Sequence, residues 1–433
     1  MKDLLKIYIP ADKVFTGLVR YLVGHMSMHI KGEINYVDTL EDADLYISER
    51  CLDKDKTWIK INEEIYYRML NRRKINYHEI ISANISNYVF CDDEDLLAAC
   101  IYMINCYQEI ADGFGDCLDE YKRYTYRCSY QNELKFGNEN LVKKIFEYII
   151  EKKLEMKFIE EKSKVFLSHD IDTLNGSLLQ DSNWAWKNRN YSQLIKILLS
   201  NLLGKKLWAN FDKINAIHSI YNFKHSYFWL VENRTYDKIK NADYTINSVK
   251  QIILDQADSG LHKSSAPKSY ADELKHLPLK VKINRNHFLK FQIESHWEKL
   301  ENSGISIDCS LGFAEKIGFR NSYGMPIMPY NFLENRPYNV LSVPLNIMDS
   351  TLRNYMLVPF EKTEEVILDF LNQNKMGCII SILWHNTFFT DYKYNGYRQI
   401  YENVLKYLKD QQVETVDSEY FLKYFDKLKK RVS

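Results

Sequence analysis

The chain has 433 residues, with 58 lysines and arginines set against 58 aspartates and glutamates, and 45% of its residues are hydrophobic. That length exceeds one ordinary core and suggests two domains of roughly 100 to 200 residues, one of which can be a barrel. The balanced charge gives no reason to expect nucleic acid or an anionic membrane as the main partner, and the most apolar runs, residues 194–203 and 376–384, fall far short of the roughly 20 residues of a membrane span.

In chain order, the first ten residues carry Asp3 and Lys6 within an apolar stretch and read as a strand, not as a signal-peptide core, so a cytoplasmic protein is expected. The eight cysteines include no CxxC pair, and reduced thiols are expected of them. A strand near residues 6–9, a helix over 15–26 and a strand near 44–48 predict an α/β module. Helices follow over residues 96–107, behind the acidic run Asp92, Asp93, Glu94 and Asp95, and over 140–153. Eight of the 11 histidines come after residue 160, and there the chain takes up a regular alternation of strands and helices. The boundary is therefore placed at about 155: a smaller α/β domain over residues 1–155 and a (β/α) barrel over 156–433.

In a barrel, chemistry gathers at the C-terminal ends of the strands. Residues 165–172, VFLSHDID, form an apolar strand that ends in Asp170 and Asp172. Two acids one residue apart can divide labour, one binding a metal and the other accepting a proton. His262 follows a glycine and a short apolar step, and imidazole suits a divalent transition metal. Arg285 and His287 close an alternating stretch, Asp308 ends a short strand, and His385 follows Trp384 after a buried one, well placed to protonate a leaving group. Five predicted strands thus end in an acid, a histidine or an arginine, as one barrel mouth would require.

In this order the strings SHDID, GLHKSS, RNH, DCSLGFAEKIGFR and ILWHN resemble the five motifs of the polysaccharide deacetylase family, the NodB-homology domains. More narrowly, GLHKS, RNHFLKF, SLGFAEKIGFR and LWHN look like a bacterial subgroup with an extra N-terminal α/β domain. The resemblance implies a distorted (β/α) barrel that removes an acetyl group from an N-acetylated or O-acetylated sugar or polysaccharide. It implies Asp170 as base, Asp172 and His262 as ligands of one divalent metal ion, zinc first among candidates, and Arg285 as the group steadying Asp170. It further implies that Asp308 orients His385, the general acid, and it assigns Trp384, Arg320 and Ser264 to the substrate. The chain departs from the family pattern where a second histidine would stand, at Ala266. His287 is the chosen third ligand, with Ser264, Ser265 or a water as alternatives, and the departure leaves open a non-catalytic glycan-binding or scaffold role.

Overall fold

The computed structural model describes residues 4–10, 13–91, 94–110 and 115–432. Strands β1 (Leu4–Tyr8), β2 (Glu33–Val37), β3 (Leu45–Ser48) and β4 (Thr57–Lys60) form a parallel sheet in the order β2-β1-β3-β4. The helix Thr16–Met26 makes the crossover that a parallel β1–β2 pair requires. The helix expected over 96–107 runs Leu96–Ile104 and is buried along its whole length, as an all-round apolar helix must be. Asp95 caps it, accepting the Ala98 amide at 2.8 Å. Asp92 and Asp93 of the same acidic run lie outside the described residues.

The second sheet begins with β5 (Lys164–Ile171), β6 (Ser226–Leu230), β7 (Ser259–Lys263), β8 (Ile283–Asn286) and β9 (Ile307–Leu311). A small antiparallel pair, β10 (Tyr330–Asn331) and β11 (Arg336–Pro337), stands apart from it. The sheet continues with β12 (Leu341–Pro344), β13 (Ile347–Met348) and β14 (Ile379–Leu383), while β15 (Thr415–Val416) pairs with the start of β5. The order is β12-β9-β8-β7-β6-β5-β14-β13, and every pairing is parallel. Because β12 pairs with β9 and β13, three residues on, pairs with β14, one stretch of chain joins the two edges of the curled sheet. The result is a curled, parallel half-barrel sheet, consistent with the distorted (β/α) barrel expected.

Strand alternation sorts the side chains between the inside of this curl and its helix-covered outside. Phe166, Phe228, Ile283, Ile307, Cys309 and Ile379 share one buried cluster, whereas Val165, Leu167, Leu261, Ile380 and Ile382 belong to another, packed under the helices. Gly260 is required where it stands, since a β-carbon there would lie 2.7 Å from the Phe228 ring and 2.9 Å from Ile283.

The first of these clusters runs across residue 155 without a break, joining Leu18, Leu22 and Ile101 to Phe166, Phe228 and Leu428. Polar contacts cross as well. Arg320, buried, is held by both carboxylate oxygens of Glu109 at 3.0 and 2.6 Å, and His29 Nε2 shares a 2.6 Å hydrogen bond with the Tyr323 hydroxyl. Cutting the chain near residue 155 would take Glu109 from Arg320 and expose the apolar cluster that the two parts share. A fragment of residues 156–433 is therefore expected to be insoluble or to lack a cooperative melt. Recovery of a soluble fragment with a sharp thermal transition would count against this.

One expectation is corrected here. Cys117 and Cys128 are joined as a disulfide, not left as reduced thiols, because the Leu118–Tyr124 bridge closes their loop and brings the two Cα atoms to 5.6 Å. Cys51, Cys91, Cys100, Cys106, Cys309 and Cys378 are not joined in disulfides.

Candidate active site

Inward positions recur at every second residue, so β5 turns both Asp170 and Asp172 into the curl, and β7, β8 and β14 add His262, Arg285, His287 and His385 from their C-terminal ends. The Arg285 Nη1 group donates to Asp170 Oδ1 at 2.7 Å and its Nε to the Cys309 carbonyl at 3.1 Å. Its guanidinium carbon lies 4.4 Å from the centre of the Phe228 ring, the ring that Gly260 makes room for. Asp170 and Arg285 are both buried.

Asp172 is the hub. Its Oδ1 lies 3.3 Å from His262 Nε2, and its Oδ2 lies 3.7 Å from His287 Nε2 and 3.6 Å from His385 Nε2. One ligand atom each from Asp172, His262 and His287 falls within 4.8 Å of the others. The outer nitrogens of both imidazoles are committed elsewhere: His262 Nδ1 donates to the Arg285 carbonyl at 2.9 Å and His287 Nδ1 to Asn241 Oδ1 at 3.2 Å. That leaves both Nε2 lone pairs aimed at Asp172, the arrangement found in metal-bound histidines.

The donor set fits a divalent cation. Asp172 Oδ1 and His262 Nε2 are buried and make no hydrogen bond, although such groups are costly to leave unmatched. Burial works against ionisation of Asp172, yet His287, His262 and His385 hold its carboxyl well below the usual range. Burial pushes the His287 ring down, toward the neutral form that can ligate, against the pull of Asp172. Burial also opposes charge on His262, but Asp170 and Asp172 outweigh it and raise its pKa. Two imidazoles and one carboxylate are donors that a divalent transition metal accepts.

His287 is delivered by a strained turn. Phe288 and Leu289, the next two residues, have φ of 59° and 51°, a left-handed conformation that costs a non-glycine residue about 1 to 3 kcal/mol. The loop closed by the Cys117–Cys128 disulfide braces it: Arg123 Nη1 donates to the Phe288 carbonyl at 2.8 Å, and the Tyr121 and Phe288 rings lie 5.0 Å apart.

His385 is fixed by a residue that the motifs did not point to. Asp349, just past β13, accepts from His385 Nδ1 at 2.7 Å and from its backbone amide at 2.5 Å. Burial opposes charge on the ring, but Asp349, Asp172 and Asp170 overcome it and push its pKa up to about 10.

No protein-family model matches the sequence, and no curated protein matches it. Among solved structures the chain is similar to a protein from Mycobacterium smegmatis described as a polysaccharide deacetylase, at 11% identity and a TM-score of 0.38, covering 62% of this chain and 92% of that one. It is also similar to a mutant of a CE4-family pseudoenzyme with restored enzymatic activity, at 14% identity and a TM-score of 0.26, covering 62% of this chain and 80% of that one.

Five sequence-selected residues, Asp308, Trp384, Arg320, Ser264 and Ser265, are engaged outside this cluster. Asp308 alternates with inward Ile307 and Cys309 and so points outward, where it meets His296 Nε2 at 3.1 Å, the Asn284 amide at 2.8 Å and the Ser310 hydroxyl at 2.8 Å. It cannot orient His385 from there. Trp384 is out of phase with His385 for the same reason, and its buried ring packs with Phe388, Tyr397 and Tyr401. Arg320 is sealed by Glu109, the Gly312 carbonyl and the rings of Phe291 and Phe313. Ser264 donates its hydroxyl to Glu273 Oε1 at 2.5 Å, and the Ser265 hydroxyl is engaged with Asn241. Ala266 is buried beside them.

Proposed function

We propose that the chain is a metal-dependent hydrolase that removes an acetyl group from an N-acetylated or O-acetylated sugar or polysaccharide. The observation that carries this reading is the convergence of three metal-ligating atoms, from Asp172, His262 and His287, with a carboxylate on one side and a carboxylate-backed histidine on the other. Asp172, His262 and His287 would hold a divalent ion, which would supply Lewis acidity toward the acetyl carbonyl and water.

Asp170 takes the proton of the attacking water. Arg285 holds its Oδ1, leaving Oδ2 toward His262 at 3.5 Å and the centre of the site. His385 protonates the departing nitrogen or oxygen. With Nδ1–H committed to Asp349, Nε2 is the atom that carries the transferable proton, and Asp349 favours the charged ring. Asp172 has 26% of its side chain exposed and His385 14%, so these two residues mark the side from which substrate enters.

Purified protein is expected to hold one divalent ion per chain by elemental analysis, and exhaustive chelation is expected to stop acetate release from an acetylated sugar. Full acetate release by metal-free protein would sink the reading. His287→Ala is expected to weaken metal affinity by about 10- to 100-fold or more, the scale of a damaged coordination shell. Unchanged affinity in that variant, with a loss in Ser264→Ala or Ser265→Ala, would move the third position to a hydroxyl or a water that it holds.

A further inference from the structure

Between β5 and β6 the chain inserts a helical hairpin, Leu178–Lys187 and Tyr191–Leu202, directly after Asp172. Its inner side is fastened to the loop that follows His385: Ala185, Ile197 and Trp208 pack with Tyr392, and the Asn386 side chain donates to the Trp208 carbonyl at 2.7 Å. The hairpin therefore stands at the same rim as the candidate site.

Its outer side is unlike the rest of the surface. At about 100° per residue, Tyr191, Ile195, Leu198 and Leu202 fall on one stripe of the second helix, and Leu179 and Trp186 fall on one stripe of the first. These side chains are 53%, 57%, 49%, 82%, 83% and 62% exposed, in that order. The Trp186 and Tyr191 rings meet edge to face at 5.8 Å where the helices join. A water-exposed stripe of this kind marks an interaction surface.

The charge around the stripe says which kind. Residues 182–211 contain five basic residues, Lys187, Arg189, Lys196, Lys205 and Lys206, and no aspartate or glutamate, in a chain whose charges balance as a whole. Among the described residues Lys187, Arg189, Lys196 and Lys205 meet no carboxylate. A short amphipathic helix with an aromatic pair, a leucine stripe and unneutralised cations has the make-up of a helix that lies in a membrane interface. No helix among the described residues is long and apolar enough to cross a membrane, which fits lying on one. We infer that this hairpin docks the protein onto an anionic lipid bilayer, with the leucine stripe entering the acyl boundary and the cations facing the headgroups. The inference stands without the hydrolase reading; where both hold, the barrel mouth works at a membrane surface.

The test uses the full chain and no sugar. Protein is sedimented with vesicles of phosphatidylcholine alone and with vesicles containing about one-third phosphatidylglycerol, while tryptophan emission is recorded. Binding to the anionic vesicles with a blue shift is expected, together with little binding to the neutral ones. Leu198→Glu/Leu202→Glu is expected to abolish binding, and Lys187→Gln/Lys196→Gln/Lys205→Gln to weaken it on the order of 100-fold. Both variants change exposed side chains, and their melts should match that of the parent protein. Absence of binding at any phosphatidylglycerol content would overturn the inference, and so would binding unchanged by either set of substitutions. A concentration-dependent dimer in sedimentation velocity that the leucine substitutions dissolve would overturn it in favour of self-association.

Discussion

Asp170→Asn is expected to lower turnover by about 10²- to 10⁴-fold, the usual worth of a positioned general base, while the protein keeps its metal. Asp172→Asn is expected to lose both. The distinction follows from contacts: Asp170 gives one oxygen to Arg285 and turns the other toward His262, whereas Asp172 faces His262, His287 and His385 together. Asparagine at 170 leaves the buried Arg285 without a counter-charge, which costs about 3 to 5 kcal/mol when one partner of a buried pair is removed. Its melting curve must therefore be read beside its kinetics, and activity compared at a temperature where the variant is folded. Equal loss of metal in the two variants would refute the division of labour between the carboxylates.

Much of this site was legible because it is carried by local order. An apolar run ending in Asp170 and Asp172 must turn both acids to one face, since side chains two residues apart in a strand share a face. His262, Arg285, His287 and His385 likewise follow apolar steps, and the parallel pairing that gathers them is the ordinary outcome of alternating strands and helices. The same rule shows what could have been excluded: Trp384 cannot share the inward face with His385 beside it. Asp308 was harder, because nothing in residues 304–309 says which parity faces inward until Ile307 and Cys309 are seen in the inner cluster and Asp308 on His296. Asp349 sits at the end of an apolar stretch as the other acids do, but Pro344 interrupts that stretch and hides the strand. The Glu109–Arg320 pair and the bracing of Phe288 by Arg123 join residues more than 150 positions apart, and no local pattern encodes such a contact.

The exchange of Asp308 for Asp349 yields the sharpest contrast in mutants. Asp349 accepts the Nδ1 proton of His385 and its backbone amide, so it sets both the tautomer and the orientation of the ring. Asp349→Asn removes the negative charge that does most to raise the His385 pKa, and the ring titration, followed by NMR in metal-free protein, is expected to move down from about 10. Turnover is expected to fall about 10²- to 10⁴-fold with KM little changed, because the acid acts in the transition state and not in binding. Asp308→Asn is expected to do the opposite. Burial opposes ionisation of Asp308, but His296, Asn284 and Ser310 hold its carboxyl below the usual range, and none of these partners belongs to the metal cluster. Breaking that network on the outer face of β8 and β9 should lower the melting temperature and leave kcat near the parent value in the folded fraction. A fall in kcat confined to Asp308→Asn, with Asp349→Asn fully active, would return the orienting role to Asp308 and require the outer face of β9 to communicate with His385 by a route other than direct contact.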